Sequence, residues 1–487
     1  MATSGHGDNL SCEQSARKGL GETVAQHYNN LEEKGKEHRK ESRIYYMRNF
    51  NNWTKSMLIQ QYADKVKESR PELQRSRGQF HGHDRNHYNQ GGNYGHQSHQ
   101  RNYDNRGGHG YQRHHHGQGY GRPPGDYNRR EDGDNRERYD DRNYQSRDRE
   151  EKESNVDNQF SVLDLACGKG GDMLKWSKAG VDHVTCVDIA ETSVQQAKDR
   201  YNQMKQRNRG RIFKANFFAA DCTKTRLLEK YQNSPKFDIV SCQFAFHYSF
   251  ETQSQAECMV RNAAECLKPG GYFIGTTPDA NIIWERLKNG QRNHFGNSVY
   301  SVEFDQNSPL VTAAKHTTNE NETQGKITGK MPKDLQTFGV GYNFHLEGVV
   351  DCPEFLVNFD ALCDIADRHG LVLAGKQGFE NFFKEKRNTR EGANLLRRIN
   401  ALEPYPPNRG VELVGDGDDS YSAAKAYLEK LKTNNETESH SKILPDKEPI
   451  FELENRPGRD FQIGTLSKEE WEAITFYCVF AFKKKKN

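Results

Sequence analysis

The stretch that decides the fold is Ser161-Val-Leu-Asp-Leu-Ala-Cys-Gly-Lys-Gly-Gly-Asp172, followed by His183-Val-Thr-Cys-Val-Asp188. A short apolar run ends in a glycine-rich turn. A helical stretch with Met173, Leu174 and Trp176 comes next, then a second apolar run ending in an acid. Glycines after a first strand let the chain turn tightly and let a ligand approach the backbone. Asp188, roughly 20 residues beyond the turn, stands where an acid holds ribose hydroxyls.

Outward from this unit the pattern repeats. A helix is expected from Ser193 to about Arg207, strands at 216–220 and 237–243, and a helix over 252–267 stopped by Lys268-Pro-Gly-Gly271. Further strands are expected at 271–277, 341–350, 371–379 and 476–482, and an amphipathic helix from Pro353 to Arg368. Strands alternating with helices over short loops mean a parallel sheet covered on both faces. Asp221 and Gln243 then fall at carboxyl ends of strands, where open α/β sheets bind ligands.

Two ligands suit such a turn. A dinucleotide needs a third glycine and a helix N-terminus free for diphosphate. Here Gly171 is followed by Asp172 and Met173. An acid at the helix start disfavours diphosphate, whereas S-adenosylmethionine carries a cationic sulfonium that carboxylates favour.

The rest of the chain is less ordered in pattern. Of 487 residues only 33% are hydrophobic. Residues 74–155 contain no Leu, Ile, Val, Met or Trp and are rich in Gly, Arg, His, Asn and Tyr, so they cannot offset the cost of ordering. A disordered insertion is expected over 71–158, either a weak, sequence-tolerant RNA contact or an inert spacer. Residues 1–21 read as a flexible start. Residues 22–70 read as helical, with a break near Asn49–Asn52 where Asn side chains compete for backbone groups. The catalytic part is expected over 159–482, with polar inserts at 305–336, read as loop, and 406–460, partly helical around 423–431. Residues 483–487 form a basic tail, a nuclear address or a solvated end.

Composition excludes other classes. The net charge of +3 announces no polyanion partner by itself. Ten cysteines without C-x-x-C pairing read as reduced thiols rather than a metal site. No run of roughly 18 apolar residues suggests a membrane span, so a soluble intracellular protein is expected.

Several segments, in order, carry a family resemblance: Arg48-Asn-Phe-Asn-Asn-Trp-Thr-Lys55, Cys167-Gly-Lys-Gly-Gly-Asp172, Gln243-Phe-Ala-Phe-His-Tyr-Ser-Phe-Glu251, Lys268-Pro-Gly-Gly-Tyr-Phe273, Leu346-Glu-Gly-Val-Val-Asp351, Ala401-Leu-Glu-Pro-Tyr-Pro406 and Trp471 to Phe482. The chain resembles messenger RNA cap guanine-N7 methyltransferases over roughly 22–70 and 159–482. The resemblance implies a Rossmann-like class I methyltransferase fold, a seven-stranded sheet with its last strand antiparallel. It implies S-adenosylmethionine as methyl donor, no metal, capped RNA as substrate, a nuclear location, and a small activating subunit and the transcription and capping machinery as partners.

By position, Lys55, Ala166, Gly168, Asp188, Asp221, Gln243 and Tyr248 are similar to the cofactor contacts. Asn51, Asn52, Lys169, Lys175, Arg200, His247, Glu347 and Tyr477 are similar to the cap contacts, with the three cations facing phosphates. Ala166 stands where relatives commonly have glycine, and an allowed β conformation is expected there. Glu347 is either a solvated loop acid or a buried carboxylate reading the Watson–Crick edge of guanine, and the resemblance implies orientation by His247, Tyr248 and Glu347 without a general acid or base. Replacing Glu347 or His247 by Ala should then remove most activity. Two rivals stay open: a small-molecule methyltransferase, which would not discriminate capped from uncapped transcripts, and a non-catalytic RNA-binding protein, which would not bind S-adenosylmethionine.

Overall fold

The computed structural model describes residues 20–30, 41–73, 158–210, 212–290, 293–320, 331, 336–434, 447–453 and 461–486. Helices are α1 (Leu20–Asn30), α2 (Tyr45–Ser69), α3 (Met173–Ala179), α4 (Glu191–Arg207), α5 (Gln253–Glu265), α6 (Ala280–Asn289), α7 (Pro309–Glu320), α8 (Phe359–Arg368), α9 (Phe379–Lys386), α10 (Arg390–Arg398), α11 (Ser422–Asn434) and α12 (Lys468–Thr475). The main strands are β1 (Ser161–Leu165), β2 (His183–Asp188), β3 (Lys214–Ala219), β4 (Phe237–Gln243) and β5 (Leu267–Pro278). Then come β6 (His294–Gly296), β7 (Tyr300–Phe304), β8 (Gly341–Leu346), β9 (Val350–Phe355) and β10 (Leu371–Gly378). The last are β11 (Glu403–Tyr405), β12 (Phe451–Glu452), β13 (Ile463–Thr465) and β14 (Tyr477–Lys484).

A 7-stranded sheet of order β10-β14-β5-β4-β1-β2-β3 dominates. β1 to β5 run parallel, and β14 lies antiparallel between β5 and β10. This is the class I methyltransferase sheet expected. β1 and β4 are buried along their whole length, as strands covered on both faces must be. Their side chains alternate: Val162 and Ile239 join one core with α2 and α3, while Leu163, Leu165, Val240 and Cys242 join the other with α5 and α8. Strand order reverses between β1 and β4, which opens a crevice above their carboxyl ends.

Several local expectations are corrected. Within the stretch 22–70 the described residues form α1 and α2, and α2 runs unbroken through Asn49–Asn52. Asn49 Nδ2 donates to Asn400 O (3.0 Å) and Asn52 Nδ2 to Arg48 O (3.0 Å), so neither breaks the helix. Phe50 and Trp53 are fully buried against Phe383, at 5.3 and 5.6 Å between ring centroids, and burial at helical spacing outweighs a local preference. In the insert at 305–336, α7 buries Leu310, Val311 and Ala314. Pro353 does not start a helix: it lies in β9, and α8 begins after Asn358, whose side chain caps Ala361 N at 3.1 Å. In the basic tail, Lys483 and Lys484 complete β14, and Lys485 Nζ is 2.6 Å from Asp367 Oδ1. The insertion expected over 71–158 falls, but for its edges, outside the described residues.

Two smaller sheets were not expected. An antiparallel sheet of order β6-β7-β8-β9 leans on the segment after β4, and β11-β13-β12 lies near α11. At the amino end of β1, buried Asp238 accepts from Ser161 N (2.9 Å) and Lys268 Nζ (3.0 Å) and pairs with Arg70 just past α2. Among the described residues no helix is long and apolar enough to cross a membrane.

Candidate active site

A cavity of about 430 Å³ opens at the carboxyl ends of β1, β2 and β4. Its wall contains Lys55, Ala166, Gly168, Asp188, Asp221, Gln243 and Tyr248, so all the cofactor residues named from the sequence come together. Lys169 and Arg200 also line it. Gly21 and Val24 of α1 close one side, although residue 21 was expected in a flexible end.

The turn after β1 is built from left-handed residues. Ala166 has φ +53°, Gly168 +52° and Gly170 +70°. The β conformation expected at Ala166 is therefore wrong: Cys167 N bonds Val187 O at 3.0 Å, which forces the chain to reverse within one residue of β1. A side chain on Gly170 would come within 2.5 Å of Met173 Cε, whereas one on Gly168 would meet nothing within 4 Å. Gly170 thus serves packing, and Gly168 leaves backbone bare to the cavity.

Asp188 closes the turn from β2. It accepts from Gly168 N at 2.8 Å and from Ala190 N at 2.9 Å. Burial raises its pKa, and the backbone donors only partly oppose this. Asp221 Oδ1 accepts from Thr223 N at 2.9 Å. Gln243 Nε2 donates to Ser241 Oγ at 3.0 Å, while its buried Oε1 has no hydrogen-bond partner among the described residues.

Asp172 is buried, with Lys55 Nζ and Lys175 Nζ each 2.8 Å from its Oδ1. Burial alone would raise its pKa, but Lys175 and Lys55 together hold it well below the usual carboxylate range. Lys175 also donates to Asn52 Oδ1 at 2.9 Å. Burial pushes Asp164, beneath the turn, up to about 7, with Asp172 adding to it and the Trp176 indole opposing.

Beside the cavity lies a second polar cluster. His247 is buried, its ring 4.3 Å from that of Tyr248. His247 Nε2 stands 3.2 Å from Glu354 Oε1, off the line a hydrogen bond needs, and neither ring nitrogen has a hydrogen-bond partner among the described residues. Glu354 is 2% exposed, and Tyr342 OH donates to its Oε2 at 3.0 Å. Tyr248 OH is 3.2 Å from Cys352 Sγ.

The buried carboxylate of this region is Glu354, and Glu347 takes the solvated form that the sequence also allowed. Glu347 is exposed on the turn between β8 and β9, outside the cavity wall, and its backbone N–H donates to Val299 O at 3.1 Å. Reading Pro353 as a helix start hid Glu354. The alternation Cys352, Glu354, Leu356, all buried, was the signal that marks a strand with an inward acid. Asn51 is half-buried with its buried Oδ1 unpartnered among the described residues. Tyr477 is buried, 5.1 Å edge-on to Phe244, which lines the cavity. Asn51, Asn52, Lys175, His247 and Tyr477 thus surround the cavity without forming its wall.

The donor set fits S-adenosylmethionine. Paired acids at Asp188 and Asp221 suit ribose and adenine, the unpartnered Gln243 Oε1 awaits a donor, and Lys55 presents a cation for an amino-acid carboxylate. Among the described residues no cluster of His, Cys, Asp and Glu could hold a metal ion.

Comparison with known proteins agrees. The model of the mRNA (guanine-N(7))-methyltransferase domain matches residues 11–77 and 143–485. An mRNA cap guanine-N(7) methyltransferase of Drosophila melanogaster is 35% identical, covering 98% of this chain and 80% of its own length. Its counterpart in Caenorhabditis elegans is 33% identical over 95% of this chain and 87% of its own. An mRNA cap guanine-N(7) methyltransferase 1 of Oryza sativa is 41% identical over 50% of this chain and 61% of its own. With matched segments running through both helical and sheet parts of the chain, the protein belongs to the mRNA (guanine-N7)-methyltransferase family.

Proposed function

We propose that the enzyme methylates N7 of the guanosine capping messenger RNA, with the guanine base seated against Glu354 and His247. The observation carrying this is a fully buried carboxylate, Glu354, beside a histidine that has no hydrogen-bond partner among the described residues and whose ring lies 4.3 Å from that of a cavity-lining tyrosine. A buried acceptor-only group needs donors, and the Watson–Crick edge of guanine supplies two, N1–H and the 2-amino group.

S-adenosylmethionine supplies a methyl group on a sulfonium. Asp188, Asp221 and Gln243 would hold its nucleoside part and Lys55 its amino-acid end. Guanine N7 attacks with its own lone pair, so no side chain has to remove a proton. The new C–N bond forms as the carbon–sulfur pair of electrons returns to sulfur. The chain contributes alignment, worth about 7–11 kcal/mol in favourable cases. It also contributes charge: as the purine becomes cationic, its bonds to Glu354 strengthen, which favours the transition state over the ground state. A small-molecule substrate would leave Glu354 without the paired donors it needs.

Methyl transfer to one transcript capped in turn with guanosine, with inosine, which lacks the 2-amino group, and with adenosine tests this. The inosine cap should react at least about tenfold more slowly, since an unmade charged hydrogen bond costs about 1.5–3 kcal/mol. Equal rates on all three would refute the guanine pocket. A nuclear location and a small activating subunit are supported by the family resemblance. A fluorescent fusion and turnover by the chain alone test them.

A further inference from the structure

Beyond the cavity mouth, cations accumulate on one surface. Lys175 and Lys178 lie one turn apart on α3, on the same face. α2 packs between α3 and α10. Trp53 Nε1 donates to Gly392 O at 3.0 Å and Asn49 Nδ2 to Asn400 O at 3.0 Å, fixing α10 against α2. This brings Arg398 toward Lys178: burial first, and then the Arg398 charge, lower the pKa of the Lys178 ammonium. Both side chains are exposed, and neither has a carboxylate partner among the described residues. The exposed acid of α10, Glu391, sits two turns away from Arg398. The same three helices expose Asn52, Ser177 and Asn394, Asn400 just past α10 is exposed too, and Leu174 is 56% exposed.

Two like charges facing each other without an acid oppose folding slightly. They suit a polyanion whose charges interleave with them. The band is continuous with Lys175, which touches the cavity rim through Asn52 and Asp172.

We propose that the RNA chain leaving the cap runs over α3, α2 and α10, its backbone phosphates held by Lys178 and Arg398. This rests on the cap pocket proposed at Glu354 and His247, and extends that reading by the nucleotides that follow. Phosphate contacts carry no sequence information, so the track accepts any transcript. The polar amides donate to phosphate and sugar oxygens, and Leu174 gives a base or ribose an apolar surface.

The test uses the full-length chain and a Lys178→Gln/Arg398→Gln double variant. Ligands are a capped RNA of about ten nucleotides, the same RNA uncapped, and GpppG, between about 50 and 200 mM salt. Losing two single-strand phosphate contacts should make the slope of log affinity against log salt shallower by about 1.4 for both RNAs. KM for capped RNA should rise about tenfold, while kcat and KM on GpppG stay as in the wild type. The Lys178→Arg/Arg398→Lys variant should restore the slope. An unchanged slope, or an equal loss on GpppG and capped RNA, overturns the proposal. Failure of the wild type to methylate GpppG sinks the cap reading instead, and the uncapped RNA slope still judges the band.

Discussion

Glu354 is buried in β9, whereas Glu347 is exposed on the turn before that strand. Glu354→Gln keeps the shape and removes the charge, leaving one donor facing donors on guanine. It should lower kcat/KM on a capped transcript by about a hundredfold or more, with the melting temperature nearly unchanged. Glu347→Ala should leave kcat/KM within about twofold, as exposed substitutions do, and normal turnover by Glu354→Gln would sink the pocket. Ala166 tells a different story. A left-handed alanine costs about 1–2 kcal/mol, while glycine loses part of that gain to its freer unfolded chain. Ala166→Gly should therefore stabilise the protein by roughly 0.5–1 kcal/mol in thermal melts, and a lower melting temperature would contradict the strain. Motif spacing made Asp188, Asp221, Gln243 and Gly168 readable because each follows a strand end. It could not reveal a backbone angle at Ala166, which is set by the bond from Cys167 N to the neighbouring strand.

Elements were readable in proportion to how completely they are buried. β1, β2 and β4 are continuous apolar runs, and a run buried on both faces announces itself. β6 to β9 are short, half-exposed and antiparallel, and proline in β9 mimics a helix start. That one misreading hid the buried acid of β9. The Asn residues of α2 failed in the opposite direction, since a local signal yielded to the tertiary contacts of Phe50 and Trp53. α12 permits a test at this scale. Its Ser467–Glu470 capping box is buried, and Glu470 also accepts from Met47 N at 3.1 Å, tying α12 to α2. Burial pushes Glu470 up to about 7, with Arg43 opposing and Glu403 assisting. A carboxyl raised on folding stabilises fully below its unfolded value and loses that contribution as pH rises through the folded value. For Glu470 this is roughly 3 kcal/mol between about pH 4.5 and 7. Glu470→Gln should flatten the fall in melting temperature from pH 5 to pH 8. A slope as steep as that of the wild type would show the carboxyl to be ionised in the fold.

At the scale of the molecule, the catalytic edge is closed from one side by α1. Val24 is buried, Asn29 Oδ1 accepts from Thr192 N at 3.4 Å, and Gly21 lies so close that a side chain there would reach 3.1 Å from Asp221 Oδ2. Deleting residues 1–30 should weaken S-adenosylmethionine binding by about tenfold, a loss near 1.4 kcal/mol in calorimetry. Unaltered affinity would make α1 an ornament rather than a wall. The opposite edge carries the quieter feature, the carboxylate of Asp238. Arg70, at the end of α2, and Ser161, at the start of β1, both grip it, so the chain departs and returns at a single anchor. Joining two held ends costs only about 0.6 kcal/mol more for each doubling of the chain length between them, so one buried carboxylate can clasp the ends of α2 and β1 whatever number of residues separates them in sequence.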